Sequence, residues 1–540
     1  MSERDPSMLG QAEADKSAPW WKGAVIYQIY PRSFRDSNGD GIGDLKGITE
    51  KLDHVAELGC DCVWISPFFT SPMVDFGYDV ADYRGVDPIF GTLEDFDALV
   101  ARAHALGLKV LIDQVYSHTS DKHEWFEESR KDRTNSKADW YVWADPKPDG
   151  SPPNNWQSVF GGPSWTWDAR RRQYYLHNFL KEQPDLNLHS PDVQQAILDV
   201  ARFWLERGVD GFRLDALNFA MHDRALTDNP PVENPVNPTR SFDFQHHYHN
   251  QSQPELIGFL KRIRQLVDDH GGIYTMAEVG GEQAPQEMKD FTQGNARLHS
   301  AYGFDYLYAK ELTAEVVRTA IRSWSGAPNE GWPSWAFSNH DAPRFASRWW
   351  AGEEREAMVK VAMLLLMSLR GNPIVYQGEE LGLPQAEVAF EHLQDPEAIA
   401  NWPLTLGRDG ARTPMVWDAS ANAGFGSEGW LPVADAHRPL HAAGQREDPS
   451  SILNWTKSVI ALRKAHEALR TGSIRLLKED GALLAFERET DSQRLHCLFN
   501  LTDRTIPRGD LAGGRPLVEF GGVEADMMPP HSAIILEIDR

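Results

Sequence analysis

Three cysteines in 540 residues, at positions 60, 62 and 497, are too few and too irregularly spaced for a disulfide framework. Cys60 and Cys62 lack the two-residue gap of a redox or zinc motif, so reduced thiols in a reducing compartment are expected. Long apolar runs are also missing. The longest, Val361 to Leu369, is too short to cross a bilayer. Residues 1–16 are polar and acidic with no apolar centre, which excludes a secretory signal within them. A cytoplasmic protein is therefore expected, with residues up to about Ala18 a disordered tail. Positive charge is in deficit: 54 Lys and Arg against 79 Asp and Glu leave a net charge of -25. Such a surface repels nucleic-acid phosphates and anionic lipid, so neither nucleic acid nor membrane is an expected partner.

Aromatic residues are plentiful, with 19 Trp and 14 Tyr, and flat amphipathic rings suit both cores and sugar faces. The length exceeds one compact core and suits two or three domains. A β-rich run, Ala24 to Tyr30, is followed by an amphipathic helix over Leu45 to Leu58, a buried strand Cys62 to Ile65, a helix Glu94 to Leu106 and a strand Lys109 to Asp113. Gly59 and Gly107 stop the two helices. After a break the alternation resumes with a helix Ser190 to Glu206, a strand at Gly211, a helix Glu255 to Asp269 and a strand Ile273 to Glu278. A sixth strand is expected near Gly303 to Asp305, a seventh over Trp335 to Asp341, an eighth over Pro373 to Tyr376, and a final helix over Ile452 to His466. Repeated strand-helix units predict an α/β fold, a (β/α)8 TIM barrel, with function at the C-terminal ends of its strands.

Two stretches do not fit the alternation. The first, 119–187, is rich in Trp, Pro, Gly and Asn and too long for a loop, so it reads as a small domain inserted after strand 3. The barrel thus comprises 19–118 and 188–470, the latter interrupted by a second polar insertion at about 378–449. From 471 to 540 short strands, including Leu483 to Arg488, Leu495 to Asn500 and Ser532 to Glu537, predict a C-terminal antiparallel β domain.

The residues that point to chemistry begin with Gly211 to Ala216. On a strand, alternate residues share a face, so Arg213 stands beside Asp215 and keeps it ionised, as a carboxylate nucleophile must be. Alone, an Arg-x-Asp pair is more often structural. Glu278 ends an apolar strand, where burial would raise its pKa and keep its proton. A third stretch, Asp36 to Asp44, carries oxygen-bearing side chains at every second position with glycines between them. Asp36, Asn38, Asp40 and Asp44, with the Ile42 carbonyl, match a loop around a hard cation, Ca²⁺ or Mg²⁺ in a structural role. Position twelve is Gly47, so the bidentate Glu of an EF-hand is missing.

Taken together, Ala24 to Phe34 with the metal loop, Gly77-Tyr78-Asp79, Asp113 to His118, Gln183 to Asn187, Gly211 to Ala216, Ala277-Glu278-Val279, Ser338 to Asp341 and Ala411 to Met415 resemble the α-amylase superfamily, glycoside hydrolase family 13. The resemblance runs from about residue 19 to the end and is strongest to bacterial α-glucosidases of the oligo-1,6-glucosidase group. It implies that Asp215 is the nucleophile, Glu278 the general acid/base and Asp341 the carboxylate that stabilises the transition state. It further implies that Asp79, His118, Arg213, His340 and Arg412 hold the sugar, with Tyr78 beneath its ring, Asp113 in support and Phe160 and Phe179 on the pocket wall.

The implied activity is exo-acting, retaining release of glucose from short α-glucosides, with transglucosylation open and no organic cofactor. Ala216 stands where relatives that prefer α-1,6 bonds usually carry Val, which points to maltose-like α-1,4 substrates. Oligo-1,6-glucosidase, sucrose-acting or trehalose-acting relatives are the alternatives, and a non-catalytic transporter subunit the remote one. A monomer or homodimer is expected, acting on a small oligosaccharide.

Overall fold

The computed structural model describes residues 18–539, apart from 236–237, 325–329, 351, 353, 406, 512 and 525. The expected N-terminal tail lies almost wholly outside the described residues. Eight strands form the central sheet: β1 Ile26–Ile29, β2 Cys62–Ile65, β3 Lys109–Val115, β4 Gly211–Asp215, β5 Tyr274–Glu278, β6 Ser300–Tyr302, β7 Ser334–Ala336 and β8 Asn372–Tyr376. Their order is β6-β5-β4-β3-β2-β1-β8-β7, every neighbour is parallel, and a parallel bridge from Ala301 to Pro333 joins the two edges. The sheet therefore closes on itself as the TIM-type barrel that the alternation predicts.

The period of two along each strand separates two cores. Ile26, Trp64, Leu111, Tyr274, Met276, Tyr302 and Ile374 fill the barrel. Tyr27, Val63, Ile112, Phe212, Leu214 and Ala277 pack outward under the helices. Arg213 falls on the inner set, opposite Asp113 of β3 and Met276 of β5. Gly211 opens β4 because a Cβ there would sit 2.4 Å from the Tyr274 carbonyl oxygen and 2.5 Å from Leu111. The first helix, Leu45–Leu58, starts at Asp44, whose carboxylate accepts from the Gly47 N–H, and stops at Gly59 in the left-handed region with φ 87°.

Two strands differ from expectation. β6 ends at Tyr302, just before the expected Gly303-Phe304-Asp305, and Phe304 instead lines the central cavity. β7 ends at Ala336, so Phe337 to Asp341 leave the sheet as a loop and carry His340 and Asp341 over the barrel mouth. Both strands have only three residues, too few for a period to show.

The 119–187 segment folds as a helix, Glu124–Ser129, and a three-stranded antiparallel sheet of Trp143–Ala144, Gln173–Leu176 and Trp165–Asp168. It has its own core of Val142, Trp156, Trp165 and Leu176. After the helix Glu467–Thr471, five strands, β9 Ser473–Leu476, β10 Leu483–Glu489, β11 Arg494–Asn500, β12 Arg515–Phe520 and β13 Ser532–Glu537, form an antiparallel sheet in the order β9-β10-β11-β13-β12. Buried Arg488 ties this domain to the barrel by donating to the Ser368 carbonyl at 2.6 Å. Among the described residues no helix is long and apolar enough to cross a membrane.

Candidate active site

A cavity of about 750 Å³ opens at the C-terminal ends of the strands. Asp215 at the end of β4, Glu278 at the end of β5 and Asp341 in the loop after β7 all face it. The barrel register brings the first two together. The Arg213 guanidinium grips Asp215 Oδ1 through Nη1 at 2.6 Å and Glu278 Oε2 through Nη2 at 2.7 Å, with Asp113 Oδ1 at 2.7 Å from Nη1. Tyr302 donates to Glu278 Oε1 at 3.0 Å, and the Ala216 N–H donates to Glu278 Oε2 at 3.1 Å. That N–H is aimed by a left-handed turn at Ala216, φ 38°, an uncommon conformation for a residue with a Cβ.

One cation facing three buried carboxylates corrects the electrostatic expectation for Asp215. Burial pushes its carboxyl well above the ordinary range, Glu278 and Asp113 add to the rise, and Arg213 opposes it without prevailing. Arg213 is shared, so its charge cannot offset all three. Asp341 shows the reverse. Burial works against its ionisation, yet His340, Arg412 and Arg408 hold it well below the ordinary carboxylate range. Its Oδ1 accepts from Arg412 Nη2 at 2.7 Å and Arg408 Nη1 at 3.2 Å, and its Oδ2 lies 3.0 Å from His340 Nε2.

The remaining expected residues divide into two groups. Tyr78, His118, Phe160 and Phe179 line the cavity. Burial pushes His118 down to about 4, so it stands as a neutral ring 3.0 Å from the Tyr78 carbonyl oxygen. Asp113, Arg213, His340 and Arg412 sit behind this lining. Asp113 Oδ2 accepts from Trp64 Nε1 and the Tyr78 hydroxyl, both at 3.1 Å. His340 stacks on Tyr78 with ring centroids 5.3 Å apart. Arg213 and Arg412 bond the carboxylates that face the cavity, and Asp113 and His340 bond the Tyr78 hydroxyl.

Asp79 is not brought to the cavity. It is fully buried, and its carboxylate accepts from Ser71 Oγ, Val74 N and Asp75 N, which shapes the 71–75 turn. Tyr78 faces inward, and the next residue faces away. Asp75 takes the place expected of Asp79: it lines the cavity and pairs with Arg408 at 2.8 Å. Arg408 also binds Asp395 at 2.8 Å. Neither Asp75 nor Arg408 stands out in sequence, since their partnership spans 333 positions. Also unforeseen is the connection 216–255, which contributes Arg240, Phe242, His247 and Tyr248 to the cavity. Among its described residues the only helical elements are short 3-10 turns, Leu217–Ala220 and Ser241–Phe244, and its sequence lacks a periodic signal. Both insertions wall the cavity, 119–187 through Phe160 and Phe179 and 378–449 through Glu397 and Arg408.

The model of the alpha-amylase catalytic domain matches residues 28–472. The chain belongs to that family. It is a glycoside hydrolase. A probable alpha-glucosidase of Rhizobium meliloti is 53% identical over 523 residues, covering 94% of this chain and 93% of that protein. An oligo-1,6-glucosidase of Heyndrickxia coagulans is 37% identical, covering 90% and 93%. Among solved structures, the alpha-glucosyl transfer enzyme XgtA superposes with a TM-score of 0.92 at 49% identity, covering 96% of this chain and all of that one. The trehalulose synthase MutB superposes at 0.86 with 33% identity.

In the Asp36–Asp44 loop, Asp36 accepts from the N–H groups of Asn38, Gly39 and Gly41, and Asp40 Oδ1 accepts from the Ile42 N–H. Asp44 is engaged by Ser37 and the Gly47 N–H. Among the described residues, no group of three or more His, Cys, Asp or Glu side chains converges as metal ligands. The available donors, three carboxylates, one amide oxygen and one backbone carbonyl, are all hard oxygens, and that chemistry fits Ca²⁺ or Mg²⁺.

Proposed function

We propose that this member of the alpha-amylase family is a retaining, exo-acting α-glucosidase that releases glucose from short α-glucosides, α-1,4-linked by preference, with transglucosylation as a second outcome. The observation that carries it is the single guanidinium gripping Asp215 and Glu278 from its two terminal nitrogens at the base of a walled pocket. Only Asp215 Oδ1 is engaged among the described residues, which leaves Oδ2 for the anomeric carbon. Asp215 attacks that carbon as the glycosidic bond breaks, and Glu278 gives its proton to the departing oxygen. A β-glucosyl ester of Asp215 results. Water, or a sugar hydroxyl, then bonds to the anomeric carbon, the ester oxygen leaves, and Glu278 takes the proton. Two inversions return the α configuration. Ionised Asp341 faces the positive charge that builds on the ring.

The pocket supports exo action. The Asp75–Arg408–Asp395 network and Asp341 bind segments far apart in sequence, and Arg240 donates to the Val159 carbonyl at 3.0 Å while reaching Glu397 at 3.5 Å. Ala216 lines the cavity directly after the nucleophile, where its single methyl leaves more room than a branched side chain. The loop Asp36–Asp44 is proposed as a structural Ca²⁺ or Mg²⁺ site held by Asp36, Asn38, Asp40, Asp44 and the Ile42 carbonyl, with no catalytic step routed through it. Asp36 also accepts from Ser427 Oγ at 2.6 Å, so the loop and the second insertion are already joined there. A cytoplasmic location, and action as a monomer or homodimer, belong to the same reading.

The test is product chromatography after incubation with maltose, isomaltose, sucrose and trehalose side by side. Glucose from maltose with little from isomaltose is the expected result. Faster isomaltose cleavage would keep the mechanism and overturn the linkage preference; four untouched sugars would overturn the α-glucosidase reading.

A further inference from the structure

The inserted domain and the 216–255 connection meet along a run of side-chain amides that the mechanism above leaves unused. Asn178, Asp185, Asn229 and Asn250 are each at most 3% exposed. The His249 N–H donates to Asn229 Oδ1 at 3.0 Å, so Asn229 Nδ2 is left as the donor to Asn250 Oδ1 at 2.8 Å. Asn250 Nδ2 then donates to Asn178 Oδ1 at 2.8 Å, and Asn178 Nδ2 donates to the Asp185 carboxylate. A backbone donor at one end and a carboxylate at the other thus fix the orientation of all three amides. Buried in low dielectric, such a run cannot lose one member without orphaning a polar atom.

Asn250 is its branch point. Through Asn178 it reaches Phe179, which lines the cavity and packs on His118 at 5.1 Å and Phe219 at 5.2 Å between ring centroids. Through its Oδ1 it reaches His247 Nδ1 at 3.1 Å, and the His247 ring stacks on Phe242 with centroids 3.5 Å apart. His247 and Phe242 line the cavity as well. Two walls from different segments therefore share one amide.

The side of the pocket they bound follows from the acid. Glu278 must face the leaving oxygen, so the aglycone lies toward the residues that follow β5. The 216–255 connection contacts those residues: Asn218 donates to the Gly280 carbonyl at 2.9 Å, and His246 Nδ1 lies 2.8 Å from Glu282. Water and a sugar hydroxyl compete for the glucosyl ester in this same space.

We propose that Asn250 is a positioning residue that fixes the spacing of the Phe179 wall and the His247–Phe242 wall, and thereby sets how often a sugar hydroxyl rather than water takes the glucosyl group from Asp215. The proposal rests on the α-glucosidase reading. A sugar acceptor must be oriented before its hydroxyl can attack, whereas water needs little orientation. Loosening the walls therefore penalises transfer and leaves hydrolysis.

The experiment compares Asn250→Ala and His247→Gln with the wild type on maltose and on α-glucosyl fluoride, whose fluoride leaving group is too small to use either wall. For Asn250→Ala, kcat/KM on maltose is expected to fall about 10-fold and on α-glucosyl fluoride about 2-fold or less, with the ratio of transfer products to free glucose falling about 5-fold. His247→Gln cuts one branch and keeps the amide run, so the same ratio falls by a smaller factor with the melting temperature held. Equal losses on both donors, or an unchanged ratio in a folded His247→Gln enzyme, overturn the proposal while leaving the catalytic reading intact. If Asn250→Ala does not fold, the His247→Gln ratio decides alone. A wild type inert toward α-glucosyl fluoride overturns the catalytic reading and the proposal with it.

Discussion

Beneath the sugar site a single Arg213 faces Asp113, Asp215 and Glu278, whereas the wall toward the 216–255 connection is held by three neutral amides ending on Asp185. Both regions are buried, yet they do different work. The ionic floor carries more negative charge than its cation offsets, so its protonation state responds to neighbours and to pH. That is useful where a proton must move. Amide bonds are strongly directional, which suits a surface whose task is spacing, and the run titrates at its end, where burial pushes Asp185 up to about 7. Chemistry is placed in the unbalanced region and geometry in the balanced one.

The largest break in this contrast is Asp215→Asn. Turnover of every α-glucoside is expected to fall about 10⁴-fold or more, because the covalent intermediate has no oxygen nucleophile of the required charge. A variant within ten-fold of wild type would remove Asp215 from the mechanism.

The same variant sharpens the electrostatic side. Asp215 is held above its ordinary value near 3.8 in the folded protein, so the unfolded chain gives up that proton more readily. Folded-state stability is therefore lost as pH rises from 3.8 toward the raised value, and the neutral amide is spared this loss. Asp215→Asn is expected to melt about 1–3 °C higher than wild type at pH 7, with the gain vanishing as pH approaches the ordinary carboxylate range. A lower melting temperature at pH 7 would contradict the excess negative charge. Asp341 runs the other way, its contribution present at neutral pH and lost on acidification.

A further expected effect of similar size lies outside both regions. Exhaustive chelation should lower the melting temperature by about 1–3 °C through loss of a cation bound only by the folded loop, and added Ca²⁺ or Mg²⁺ should restore it. An unmoved melting curve would remove the ion from the Asp36–Asp44 loop.

Much of the site was legible because strand geometry is local. The helix Leu45–Leu58 and the strands Cys62–Ile65 and Ser532–Glu537 are bounded as their sequence patterns predict, and the pairing of Arg213 with Asp215 follows from alternation on one strand. Asp79 was misplaced because a turn has no such period: the chain turns over Asp75 to Tyr78, closed by the Tyr78 N–H on the Asp75 carbonyl, and only the folded turn shows that Asp75 faces inward. The sign of the Asp215 shift failed for a related reason. Its neighbour Arg213 was visible in sequence, but the burial that raises Asp215 most is set by the folded barrel, and the two further carboxylates that share that cation arrive from 102 and 63 residues away, at Asp113 and Glu278.

The sequence by itself determined the alternating strands and helices, the inward face of each strand and the residue types for a double displacement, since each depends on neighbours a few positions apart. Only the tertiary structure decided how three carboxylates divide one guanidinium, that Arg408 meets Asp75, and that Asn250 stands between two walls. Those relations depend on distances in space between segments far apart in the chain, and burial there removes the water that would otherwise screen charges and satisfy amides.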